Sequence, residues 1–107
     1  MIKVRFSIGD KQLQGFEISG HAMYAESGSD IVCASVSSAA FMAANTITDV
    51  ICANAYAAAE EGRMIVTLNQ PNEQAQAVLR GLELHLTELS KQYPENIKII
   101  YGGVKNA

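Results

Sequence analysis

Ile2-Lys3-Val4-Arg5-Phe6-Ser7-Ile8, closed by Gly9-Asp10, decides how the rest of this chain is read. Apolar side chains occupy every second residue, which is the period of a strand with one face buried. Gly9-Asp10 supplies turn chemistry, and Lys11 to Ser19 returns as the second strand of a hairpin. The apolar phase slips on the way back, because Leu13 is out of step with Phe16 and Ile18. Gly15 sits at the slip, so a bulge is expected there.

A hairpin with one apolar face needs a second layer against it. Gly20 to Gly28 shows no sustained periodicity and reads as a loop. Ser29-Asp30 offers N-cap chemistry for a long Ala-rich helix that runs to about Glu61, with Gly62 closing it. Its apolar stripe is Val32, Val36, Ala39, Ala43, Ile47 and Val50. A helix of about 30 residues is long for this chain, so a bend or break is expected near Asn45 to Asp49. Met64 to Leu68 reads as a short strand. Asn72 caps a second helix with a stripe of Ala75, Val78, Leu79, Leu82, Leu86 and Leu89. Pro94 stops it, and Ile97, Ile99 and Tyr101 make the last strand. The expectation is a single α+β domain over residues 1–107, a two-layer sandwich in the order β-β-α-β-α-β. It has a mixed four-stranded sheet with two helices on one face.

Composition limits the function classes. Hydrophobic residues make up 49% of the 107 and charged residues 18%, the balance of a folded chain. The net charge is −3, and the eight Lys and Arg are scattered singly. A nucleic-acid reader carries a clustered basic face, so no direct nucleic-acid contact is expected. The alternating start is no signal peptide. No apolar run is read as reaching the roughly 20 residues that span a bilayer, so a cytoplasmic protein without membrane contact is expected. Cys33 and Cys52, placed on one helix, would stand roughly 28 Å apart, too far for a disulfide. Cys52 then reads as a mid-helix core residue and His85 as a solvated one.

Cys33 is the residue that invites chemistry. It is expected in the first turn of the helix, where unpaired backbone N–H groups favour an anion and could receive an oxyanion. His21 lies twelve residues earlier, at the junction of strand and loop. A strand end and a helix start joined by a short loop can set imidazole beside thiol, as a base-activated nucleophile requires. The bland reading stands beside this, because free cysteines are most often small core residues. Asp30 is either an N-cap or first-turn acid of the helix or the group that orients His21. Ser37, one helical turn beyond Cys33, can face the same site. Two Cys and two His without a C-x₂₋₄-C or H-x₃₋₅-H spacing make no zinc site, so neither metal nor cofactor is expected.

Gly20-His21-Ala22 and Gly28-Ser29-Asp30-Ile31-Val32-Cys33-Ala34-Ser35-Val36-Ser37 together resemble the Prp family, the ribosomal-processing cysteine proteases. The resemblance implies Cys33 as nucleophile and His21 as general base, with Asp30, Ser37, Gly20 and Gly28 supporting the site. It also implies a homodimer whose substrate is a large-subunit ribosomal protein precursor, cut after an apolar, aromatic-containing N-terminal extension. Met23 and Tyr24 in the loop, and Phe41 or Met42 on the helix, are expected near that apolar segment. The Ala22–Gly28 loop is expected to close over bound substrate. The competing class is a non-catalytic partner-binding module of ribosome assembly.

Overall fold

A computed structural model of the chain describes residues 1–20 and 27–103, without the side chains of residues 27–30. The expected hairpin is present as β1 (Ile2–Gly9) and β2 (Gln12–Ser19). Asp10 and Lys11 form its two-residue turn, both with positive φ (52° and 64°), as the primed turns of tight hairpins require. Ser7 pairs with Gly15 and Ile8 with Leu13, so Gln14 is the extra residue of a bulge beside Gly15. The bulge brings Leu13 back into the buried set with Phe16. Gly15 is needed for a second reason: a Cβ there would collide with the Val66 carbonyl of the adjacent strand. That strand pairs with β2 only from Gly15 onward. The Gln76 carboxamide takes over at Leu13, accepting from its N–H (2.7 Å) and donating to its carbonyl (2.8 Å).

Helix α1 spans Ser27–Asn45 and passes into a π-helical turn, Thr46–Val50. This is where the bend was expected. Thr46 and Thr48 hydroxyls donate to the carbonyls of Met42 and Ala44, and Ile51 N–H reaches back to Thr46 O at 2.8 Å. Such back-bonding competes with the α-helical ladder and bends it.

Beyond the bend the sequence reading fails. Residues expected to continue the helix to Glu61 form a strand, β3 (Ala55–Glu60), which makes a hairpin with β4 (Arg63–Leu68). Cys52 is exposed, with φ of 57°, and is no core residue; Val50 is exposed as well. The spacing argument against a disulfide falls with the continuous helix, though both cysteines are free thiols. The remainder follows expectation, with α2 (Glu73–Gln92) and β5 (Ile97–Gly103). The sheet is therefore five-stranded rather than four-stranded, in spatial order β3-β4-β2-β1-β5. It is mixed, since β5 runs parallel to β1 and the other pairs are antiparallel.

Alternate strand residues meet the helices in one core: Ile2, Val4 and Phe6 of β1 and Met64 and Val66 of β4 against Val32, Val36, Ile47, Leu79 and Leu86. Ala39, Val78 and Leu89 of the expected stripes pack at its margin. The Ile31–Val50 stretch corrects the membrane reading. By length and a mean hydropathy of 1.5 it is apolar enough to cross a bilayer. Its many alanines raise the average without any long apolar run of large residues. Here it supplies Val32, Val36, Ala40, Ala43 and Ile47 to the core.

Side chains tie α2 at its middle and at its start. Tyr101 on β5 donates to the Glu83 carboxylate at 2.7 Å. That hydrogen bond, with some burial, holds the phenol above its ordinary pKa of 10.0. At the start Asn72 Oδ1 accepts from Ala75 N–H at 2.9 Å, the expected N-cap. Asn72→Ala is expected to destabilise the protein by about 1 kcal/mol. An unchanged urea midpoint would show that the cap contributes nothing.

Candidate active site

β2 ends at Ser19, and Gly20 leaves it with φ of 89°. A side chain would be strained in that region. A Cβ at Gly20 would also come within 2.5 Å of the Met1 carbonyl oxygen. Gly20 N–H donates to Gly62 O at 3.0 Å, which fastens the exit of β2 to the turn between β3 and β4. Gly62 takes the positive φ (76°) of that turn. The backbone entering His21 is thus held on both sides.

Across from it stands α1. Cys33 and Ser37 are one turn apart, and both line an open cleft of about 560 Å³ together with Gly20. Ile18, Val36, Ala40, Phe41 and Met64 give the cleft an apolar wall, and Ala59 and Gly62 bring in the β3–β4 hairpin. Cys33 is half-buried and packs against the core. Two charged residues, Glu60 and Arg63, also line the cleft, and Arg63 Nε donates to Glu17 Oε2 at 2.6 Å.

Two expectations need correction. Helix α1 begins at Ser27, so Ser27 and Gly28 belong to the helix and not to the loop. Asp30 falls in the first helical turn, the second of the two structural places expected for it. Cys33 is then the seventh residue of α1, in the second turn. Its own N–H lies within the helical ladder, and the unpaired donors belong to residues 27–30.

His21, Met23, Tyr24 and the expected closing loop from Ala22 lie outside the described residues. Phe41 does line the cleft; Met42 is exposed elsewhere on α1. His85 is exposed on α2, away from the cleft residues. Among the described residues no group of three or more His, Cys, Asp and Glu is placed to hold a metal. The sequence reading missed the hairpin wall of Ala59, Gly62 and Met64. Its one local signal was Glu61-Gly62, which suits a two-residue turn as well as a helix end.

The profile of the family described as Cysteine protease Prp matches residues 1–98, which include every element of the cleft. This chain belongs to that family. Prp relatives agree along nearly the whole length. The ribosomal processing cysteine protease Prp of Bacillus subtilis is 28% identical over 99 residues, covering 84% of this chain and 87% of its own. The Staphylococcus aureus essential ribosomal processing protease Prp, solved with a substrate peptide, superposes with a TM-score of 0.85 at 26% identity. The same S. aureus protease, solved with a covalently linked product peptide, gives 0.84 at 27%. Each covers 95% of this chain and 100% of the other. A Streptococcus mutans protein matches with a TM-score of 0.87 at 26% identity, covering 97% of this chain and 96% of its own. The chain is accordingly a peptidase of the cysteine class.

Proposed function

We propose that this chain is an endopeptidase that removes a short N-terminal extension from a large-subunit ribosomal protein, using Cys33 as nucleophile and His21 as general base. The observation that carries the reading is the shared cleft of Cys33, Ser37 and Gly20, with Gly20 delivering the chain directly to His21. The imidazole takes the thiol proton as sulfur attacks the scissile carbonyl. The resulting tetrahedral oxyanion meets N–H donors at the start of α1. Collapse releases the new amine, which leaves with the proton from the imidazolium. Water then hydrolyses the thioester with His21 again as base.

The first turn of α1 also carries Gly28 and Asp30, which this reading takes as supports of the site. The apolar wall from Ile18 to Met64 suits an extension rich in apolar and aromatic residues, and Phe41 can stack on one of them. Ile31 and Met42, exposed eleven residues apart on one face of α1, are where a second copy would pack in a homodimer. A cytoplasmic location, without membrane or nucleic-acid contact, completes the proposal.

Alkylation by iodoacetamide tests the Cys33–His21 pair. Cys52 is the more exposed thiol, so accessibility alone makes it react first. A base-activated Cys33 reverses that order near neutral pH, and His21→Ala restores it. Faster labelling of Cys52 in the wild-type protein, read by peptide mass, would sink the pair and favour the non-catalytic binding module.

A further inference from the structure

We propose that the free edge of β3 binds the backbone of the substrate as an added strand, positioning the scissile bond at Cys33. The inference rests on the reading of Cys33 as nucleophile. Asn69 N–H donates to Asn54 O at 2.9 Å, which marks the first hydrogen-bonded pair of the β3–β4 ladder. Such pairs alternate along an antiparallel ladder. The register then makes Tyr56–Thr67, Ala58–Ile65 and Glu60–Arg63 hydrogen-bonded pairs. Ala55, Ala57 and Ala59 therefore turn their N–H and C=O groups away from β4. β3 is the last strand on its side of the sheet, so among the described residues no strand lies there to meet them.

Sheet edges of this kind are usually blunted by lysine, proline or a bulge. None occurs between Ala55 and Ala59, and the ladder runs without a register shift. Four of these five residues are alanine, so little side chain stands in the way of an approaching backbone.

The occupant follows from continuity with the cleft. Ala59 lines the Cys33 cleft, and Ala57 and Ala59 also line an adjoining groove of about 410 Å³. Phe41 borders both. A peptide leaving Cys33 in extended form meets Ala59 first and Ala57 two residues later, the spacing of its own outward groups. Alternate side chains then point to the α1 side, against Phe41, Asn45 and Thr48. Main-chain bonds supply register and affinity, and the groove reads every second side chain.

The test uses wild-type protein and a peptide spanning the cut site, with a single N-methyl amide moved one residue at a time. Losses in kcat/KM of about fivefold to tenfold are expected at alternate residues on one side of the scissile bond, with little change between them. Ala57→Pro and Ala59→Pro remove only outward N–H groups and are expected to raise KM. Ala58→Pro removes a ladder N–H and reports on folding instead. Cleavage indifferent to N-methyl position, or losses without the two-residue alternation, would overturn the added strand alone. Failure to cut the unmodified peptide would remove the Cys33 reading and this inference with it. Dissociation of a dimer by Ala57→Pro with kcat/KM unchanged would assign the edge to a second copy and overturn it too.

Discussion

Cys33→Ala is expected to lower cleavage of the ribosomal protein precursor by about ten-thousandfold or more. In the proposed mechanism the change removes the atom that forms the thioester, and no neighbouring group replaces a covalent nucleophile by adjustment. What survives is the weak assistance that donors and binding give to direct attack by water. The fold should hold. Cys33 is half-buried at the margin of the core, and loss of one sulfur there costs about 1 kcal/mol. Intact-mass analysis of the precursor after incubation reads the result, with a thermal melt of the variant beside it. His21→Ala should fall by about a hundredfold to ten-thousandfold, since the thiol keeps some nucleophilicity without its base. Cys52→Ala should cut as the wild type does, because Cys52 is absent from the cleft lining. A single cut persisting in Cys33→Ala would move the nucleophile elsewhere in the cleft, with Ser37 the next residue to replace.

Phe16→Ala is expected to destabilise the protein by about 3–5 kcal/mol. Phe16 is 1% exposed, pairs across the hairpin with Phe6, and pairs on its other side with Val66. Phe6 in turn packs on Tyr101 with ring centroids 6.0 Å apart. A cavity at Phe16 therefore opens in the middle of the sheet, where neighbours on both sides are held by backbone pairing and cannot collapse inward. Against a typical domain stability of about 5–15 kcal/mol, a loss of this size removes a large share. Denaturant titration checks it. A midpoint shift worth less than about 1 kcal/mol would mean that the sheet is plastic here and that the core is held mainly from the helices.

Much of this was legible in the residues. Alternation identified β1, the phase slip at Leu13 located the bulge to within one residue of Gln14, and the Asn72 cap and leucine stripe placed α2. Each is a local signal, because burial of one face writes its own period into the sequence. The chemistry was legible for a different reason. His21 and Cys33 belong to a short motif, and the family match over residues 1–98 confirms the class of enzyme that the motif implied.

Ala53 to Glu61 was misread because alanine and glutamate favour helix when nothing else acts on them. That preference is worth only a few tenths of a kcal/mol per residue, and the backbone pairing of β3 with β4 outweighs it. The partner strand β4 is near in sequence, but it is itself held by β2, far off in the chain, which no local window contains. That pairing brings Ala59 and Met64 around to Cys33, and a Gly20–Gly62 hydrogen bond fastens the hairpin turn to the exit of β2. The sequence by itself determined the core faces of β1 and α2 and the family. Only the tertiary structure decided the fifth strand and the walls of the cleft, because the β3–β4 hairpin is held in the sheet through the pairing of β4 with β2, distant in the chain, whose energy no local propensity expresses.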